Sequence, residues 1–564
     1  MSRGFARAVF GFSLLFFGVF FLWPILQILR GGFVTPDGQF SMDAVREVFT
    51  DPVYLQSLAH SFLLALGTTI AAFLIAMPLA FAADRFLFPG KKLFAALVLV
   101  PMVLPPFVGA IGIRQIFGQY GAFNALLTHI GLLADGETVD WFAANQFWGI
   151  VIVQALNLYP ILYLNIAAAL ANVDPAMEEA AENLGCTGFR KFWRVTLPLI
   201  NPGVFAGGTI VFIWAFTELG VPLIFDYARV TSVQIFYRLK EVGGSPTPYA
   251  LVAVMLACSV ALYALSKALF GRKAYAMMAK ATSTGGARPL GAMGTTLCVL
   301  LFACVIGFAV LPHLGVVLVA FSSDWYGTIL PQHYTLHNFD LALGNSLTVP
   351  AIANSLKFAG CATVFDILLG LAIAYVLVRT KIPGRQILDG LAMLPLAVPG
   401  LVMAFGYLAM SQEGKFFAFV NPVENPTVLL VIAYAVRRLP YMVRAAVAGF
   451  QQTSETLEEA AQNLGCPPLK AMLRVTLPLI MANVIAGALL AFSFAMLEVS
   501  DSLILAQKQA FYPITKAIFE LFQLLGDGRF LASALGVWAM VFLAITIGGM
   551  SLLLGKRLGA IFRV

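Results

Sequence analysis

Two glutamates, Glu218 and Glu498, stand 280 residues apart, each well inside a long apolar run. Asp501 follows Glu498 by three residues, hence on nearly the same helix face. Arg437 and Arg438 fall near the middle of another apolar run, with Arg444 beyond them. An ionisable group at the centre of an apolar span is costly and by default faces a cavity or a partner. Carboxylates there suit a cation, an amine or a proton; arginines suit an anion or a chelated metal that carries one. The same five residues read equally as internal ion pairs, Arg438 with Glu498 or Asp501, that only fix helix positions. The counterparts of Arg437, Arg438 and Arg444 in the first half are Asn157, Leu158 and Leu164, so the basic cluster belongs to one half. Asp226 and Asp366 read as less central. Five His and six Cys make no CxxC and no Cys/His cluster, and no nucleophile or acid/base pair is spaced for catalysis. Neither a catalytic residue nor a metal site is expected. Cys186 and Cys466, again 280 apart, read as small packing thiols.

The elements that carry these groups are membrane helices. The chain has 564 residues, 60% hydrophobic and only 11% charged, against about 25% charge in an ordinary soluble domain. Apolar segments of spanning length lie near 8–29, 57–83, 93–117, 147–171, 199–225, 249–270, 292–320, 351–378, 388–410, 427–449, 480–506 and 530–554. They are too long and too continuously apolar for the alternating strands of a membrane barrel. Twelve transmembrane helices are therefore expected, since a helix satisfies its own backbone hydrogen bonds in lipid. Arg3 and Arg7 precede an uncharged run, Ala8 to Leu29, about 33 Å long at 1.5 Å per residue. It exceeds a signal-peptide core and reads as an uncleaved first span. The net charge of +7 is spread between apolar runs, which argues for membrane topology and against nucleic acid. Arg85/Lys91/Lys92, Arg190/Lys191/Arg194, Arg272/Lys273/Lys280/Arg288, Arg379/Lys381/Arg385 and Lys470/Arg474 all fall on one side, with Arg3/Arg7 and Lys556/Arg557. By the positive-inside rule that side, with both termini, is cytoplasmic.

The chain is a tandem duplication. Phe40-Ser41-Met42 matches Tyr334-Thr335-Leu336, His60-Ser61 matches Asn354-Ser355 and Pro89-Gly90 matches Pro383-Gly384, all at a shift of 294. From Tyr159-Pro160 against Leu439-Pro440 the shift is 280, so the first half holds about fourteen extra residues, assigned to the acidic loop around Leu132–Asn145. The expected organisation is a first six-helix domain over 1–276, a cytoplasmic linker over 277–291 and a second six-helix domain over 292–564. Such repeats place a transport pathway at their shared interface. Pro101, Pro105, Pro106, Pro395 and Pro399 are expected to bend the third helix of each half near its outer end.

One polar island is repeated almost word for word. Glu178-Glu179-Ala180-Ala181, Gly185 and Arg194-Val195-Thr196-Leu197-Pro198 return as Glu458-Glu459-Ala460-Ala461, Gly465 and Arg474-Val475-Thr476-Leu477-Pro478. Asp174-Pro175 and Ser454 are helix starts. The early glutamates suit the helix dipole, the alanines let a partner approach closely, and Gly185 and Gly465 end each helix. A second short helix is expected near Phe189–Val195 and Leu469–Val475. Each island is thus a helix–turn–helix elbow in a cytoplasmic loop.

E-A-A-x3-G-x9-[IV]-x-L-P is the EAA loop of ABC importer permeases, and both copies fit it, with Val195 and Val475 at the aliphatic position. Over essentially its whole length the chain resembles the fused binding-protein-dependent permeases of the ferric-iron, thiamine and 2-aminoethylphosphonate type. The Arg437-Arg438-Leu439-Pro440-Tyr441 segment resembles the second half of the ferric-iron permeases. The resemblance implies an all-α, type I importer permease of the bacterial inner membrane. It implies that each elbow couples to one of two cytoplasmic ATPase subunits, and that a periplasmic or lipid-anchored binding protein delivers the solute. Ferric iron is the favoured cargo, with thiamine, a phosphonate, a sugar phosphate or a polyamine as alternatives. The chain lacks G-x-x-x-x-G-K-[ST], so ATP and magnesium belong to the partner and this chain holds no cofactor of its own. An ion-driven secondary transporter with Glu218 and Glu498 as proton carriers would leave the elbows without purpose.

Overall fold

The computed structural model describes residues 3–35, 38–103, 105–142, 145–277 and 287–554. Most of the linker assigned to 277–291, together with Lys280, Lys556 and Arg557, lies outside them. Among the described residues the chain is all-α apart from two short two-stranded pairings, Phe86–Leu87 with Arg288–Pro289 and Ser322–Asp324 with His333–Tyr334, and a single bridge between Val34 and Phe40. Among the described residues nine helices are long and apolar enough to cross a membrane, or eleven if two sharply bent pairs each count as one span. The remaining expected span is the 26-residue helix Thr427–Gln452, which carries Arg437, Arg438 and Arg444.

The two bent pairs are the third segments of each half. Lys91–Met102 meets Pro106–His129 at 95°, and Arg385–Leu396 meets Gly400–Met410 at 100°. Both breaks fall at the prolines named above, because proline offers no backbone N–H and disfavours helix in the residue before it. The second bend separates arms of similar length and sits mid-span, not near the outer end as expected from sequence.

The chain divides into two compact units that do not follow the order of the sequence. One unit holds residues 1–54, 235–256 and 339–564; the other holds 55–234 and 257–338. The helix Gly4–Phe33 therefore packs with helices of the second half, and Ala292–Phe321 with helices of the first. Glycines make each packing possible. In the first unit a Cβ on Gly406 would lie 2.8 Å from the Pro24 ring. In the second unit a Cβ on Gly315 would lie 2.7 Å from the carbonyl oxygen of Gly112. Without a hydrophobic force between helices in lipid, such close backbone contact supplies much of the attraction. Gly315→Leu or Gly406→Leu is expected to cost at least about 1–3 kcal/mol through overpacking, read as a lower melting temperature in detergent. An unchanged melting temperature for both would show that these contacts do not hold the helices together.

Described residues of the first half's extra loop are tied down by hydrogen bonds. Asn124, buried, donates through Nδ2 to the carbonyls of Gln119 and Val139 at 2.7 Å each. Its Oδ1 accepts from Trp141 Nε1 at 2.9 Å.

Candidate functional site: two matched elbows and a buried charge cluster

Each elbow begins with the helix its caps demand. Asp174 accepts from the Ala176 amide at 3.0 Å and opens Pro175–Asn183; Ser454 accepts from Thr456 at 3.3 Å and opens Glu455–Asn463. Both helices end identically. Gly185 and Gly465 take φ of +79° and +87°, a conformation only glycine adopts without strain. The Cys186 amide then donates to Ala181 O and the Gly185 amide to Glu182 O, each at 2.9 Å; Cys466 and Gly465 repeat the pattern at 3.0 and 2.9 Å. This double bond satisfies the last carbonyls of the helix. Cys186 and Cys466 are free, half-buried thiols in the residue after the turn.

The second arm differs from the expected separate helix. Gly188–Lys191 and Pro468–Ala471 each form one α-turn, run through a π-turn (Phe192–Thr196, Met472–Thr476) and continue into the membrane helix. Pro198 and Pro478 have no N–H to give, and the Leu197 and Leu477 amides reach back five residues to Phe192 O and Met472 O. A push on the elbow therefore acts on the end of a continuous helix.

The two adjacent glutamates of each motif part ways. Glu178 and Glu458 are buried, whereas Glu179, Glu459, Ala180 and Ala460 are exposed, and Ala181 and Ala461 are half-buried. Glu178 Oε1 accepts from Thr196 Oγ1 at 2.7 Å and from Arg85 Nη2 at 2.8 Å. Glu458 Oε1 accepts from Thr476 Oγ1 at 2.8 Å and from Arg379 Nε at 3.2 Å. Arg85 and Arg379, last residues of the helices Pro52–Arg85 and Thr348–Arg379, stand 294 residues apart, the shift of the first repeat block. One carboxylate thus bolts elbow to membrane helix through a part-buried, charge-assisted bond. These anchors were not singled out from sequence, although the repeat shift marks both arginines and both threonines.

What faces outward is oil. Leu184 and Leu464 are 87% and 90% exposed. Met177, Phe189 and Trp193, with their counterparts Leu457, Leu469 and Leu473, are also exposed large hydrophobics. Four apolar side chains at matched positions of two polar loops form patches of the kind that mark a protein contact.

The elbows differ in one polar pair. Lys191 Nζ lies 2.6 Å from Glu182, which Arg288 approaches to 3.7 Å; the second copy has Gln462 and buried Ala471 at these places. The Lys191 hydrogen bond and charge hold the Glu182 carboxyl below its usual range. A carboxyl depressed in the folded state stabilises above its ordinary range and loses that contribution as pH falls through its folded value. Lys191→Ala is therefore expected to abolish an acid-side loosening of the first elbow, read by amide exchange over Ala180–Gly185. The same pH profile with and without Lys191 would contradict this pairing.

Of the intramembrane charges, four come together in one unit. Arg437 Nη1 lies 2.6 Å from Glu498 Oε1 and 3.4 Å from Asp501 Oδ2, and Arg438 Nη2 bonds Glu498 Oε2. Both oxygens of Glu498 are taken by guanidinium groups. A Cβ on Gly400, the first residue past the mid-span bend, would overlap the Arg437 guanidinium. Asp366, buried, has no hydrogen bond on either oxygen among the described residues. Glu218 belongs to the other unit, where its Oε1 accepts from the Gly220 and Val221 amides at 3.0 and 3.3 Å.

The family of binding-protein-dependent transport system inner membrane components matches the chain twice, over residues 72–274 and 366–555. The chain is 27% identical over 503 residues to a ferric transport system permease, FbpB, of Actinobacillus pleuropneumoniae, covering 86% of this chain and 69% of the relative. It is 28% identical to the sulfate permease CysT of Escherichia coli over 257 residues, 45% of this chain and 87% of that protein. The spermidine/putrescine permease PotB of Haemophilus influenzae is 27% identical over 272 residues, 46% of this chain and 93% of that protein. The chain belongs to the binding-protein-dependent transport system inner membrane components, as a fused permease that carries the family's domain twice.

Proposed function

We propose that this permease imports ferric iron, handed over by an extracytoplasmic binding protein and driven by two ATPase subunits that dock on the elbows from the cytoplasm. The observation that carries the coupling role is the pair of exposed apolar patches at Leu184 and Leu464, each bolted to a membrane helix through Glu178–Arg85 or Glu458–Arg379. The positive-inside pattern supports a cytoplasmic place for these elbows and for both termini. Glu179, Ala180 and Gly185, with Glu459, Ala460 and Gly465, form the docking surface. ATP and its magnesium sit on the partner subunits, whose closure acts on both elbows and turns the transport pathway outward. Ferric iron is preferred because a ferric relative matches 86% of the chain, whereas the sulfate and polyamine relatives match less than half.

Glu498 has both oxygens engaged by arginines, which argues against a freely titrating proton carrier. Glu218, Glu498, Asp501, Arg437 and Arg438 are proposed to shape the pathway, the last four as a paired cluster. The test is uptake into proteoliposomes that hold the permease, its ATPase and external binding protein. Ferric uptake that needs ATP, and that sulfate and spermidine leave unaltered, supports the reading. Uptake driven by an ion gradient alone contradicts the ATP-driven role; ATP-dependent uptake of sulfate or spermidine in place of iron contradicts the cargo.

A further inference from the structure

The unit that holds residues 1–54, 235–256 and 339–564 contains a second concave site far from its elbow. A cavity of about 580 Å3 opens between the last turns of the first helix, the turn at Gly243–Pro246 and the loop Gln412–Phe416. Its position follows from chain direction. The chain continues from that loop through a short turn at Ala418–Val420 into the helix Thr427–Gln452, whose 26 residues carry it about 39 Å toward the elbow at Ser454. The first helix starts at the elbow end, where Phe10 packs near Gly384, and Arg30 is therefore at the far end.

Two cations line this cavity, Arg30 and Lys415. Among the described residues, no carboxylate lies within 4.0 Å of either. Glu413 also lines the space but pairs with neither. Lys415 Nζ donates at 3.1 Å to Oε1 of Gln27, a side chain only 5% exposed. Burial and the neighbouring Arg30 push the Lys415 ammonium below its usual value. Holding a half-buried ammonium beside a guanidinium costs energy that an anion between them would return. Trp23 and Tyr249 also line the space, and Gly31 is required because a Cβ there would overlap the Tyr249 ring.

We infer that this cavity is an oxyanion site, in which Arg30 and Lys415 together bind a carboxylate or phosphate group at the end of the permease opposite the elbow. The oxyanion has two possible sources, a dissolved anion or an acidic side chain of the delivering protein. That this end faces outward rests on the proposed function; the binding chemistry does not.

The test reads Lys415 acylation by acetic anhydride in the purified full-length permease, with peptide mass spectrometry as the measure. Phosphate or citrate, against chloride at matched ionic strength, is expected to slow Lys415 labelling at least about fivefold near saturation. Exposed Lys508 should be unaffected, Arg30→Gln should abolish the protection, and Arg30→Lys should retain it. If only the system's solute-binding protein protects Lys415, and loses that effect when its surface carboxylates are neutralised, the side chain is the source. No protection by any of these, or equal protection at Lys508 or in Arg30→Gln, overturns the inference. Because both ends of the detergent-solubilised permease meet the same solution, this result is independent of which end is cytoplasmic.

Discussion

Replacing Leu184 and Leu464 together by aspartate is expected to leave the permease folded and membrane-inserted while removing ATPase binding. Both side chains are almost fully exposed, so the folded state loses little, within about 0.5 kcal/mol for a surface change. In the assembled transporter the same atoms would enter an apolar contact, and an aspartate there is a buried, unpaired charge. Truncating a central interface anchor costs about 2–4 kcal/mol, roughly thirty- to a thousandfold in affinity per elbow, and burying a charge in its place adds to that. ATPase retention on the solubilised permease and transport in proteoliposomes should both fall to background. Leu184→Ala with Leu464→Ala should fall in between. Normal retention by the double aspartate variant would mean that these patches are not the contact.

The second large effect concerns the charge cluster. Arg437→Leu removes the recorded counter-charge of Asp501 and one of the two that hold Glu498. Leaving a buried carboxylate without its partner costs about 3–5 kcal/mol, enough to lower the melting temperature sharply or to abolish expression. The repeat supplies a rescue. Asp366, Arg437, Arg438 and Asp501 correspond to Ala72, Asn157, Leu158 and Val221, so the second half holds two added cations and two added anions. The quadruple variant Arg437→Asn, Arg438→Leu, Glu498→Gln, Asp501→Val removes two cations together with the two carboxylates they hold, so that neither is left without its arginine. Most of the lost stability should return, because a balanced buried network can be exchanged for apolar packing at small cost. A quadruple variant as unstable as Arg437→Leu would show that packing, not charge balance, governs the site.

The elbow helices were legible because their signals are local. Asp174-Pro175 and Ser454 mark starts, Gly185 and Gly465 mark stops, and the structure places helix ends at both. Glu178 and Glu179 could not be told apart by type, since helix phase alone sends one inward and its neighbour out. The anchors Arg85 and Arg379 lie 93 and 79 residues from their glutamates, beyond any periodicity, yet the repeat shift exposes them. The second arm was misjudged because a π-turn leaves no sequence signal beyond the proline that follows it. Arg438 reaches Glu498 as expected; that Arg437 also bridges Glu498 and Asp501 was not legible, a choice made by tertiary packing. The exchange of first helices between the compact units was not legible either, since a repeat alignment carries no information on which copy packs with which.

The most direct test of the coupling claim is photocrosslinking in intact membranes that contain permease and ATPase. A benzophenone amino acid placed at 184 or 464 should join the permease to the ATPase subunit, while the same group at exposed Phe419, which precedes the helix Thr427–Gln452 that leads to the elbow of Leu464, should not. Crosslinks from 419 and none from 184 or 464 would put the ATPase on the other face and contradict the account.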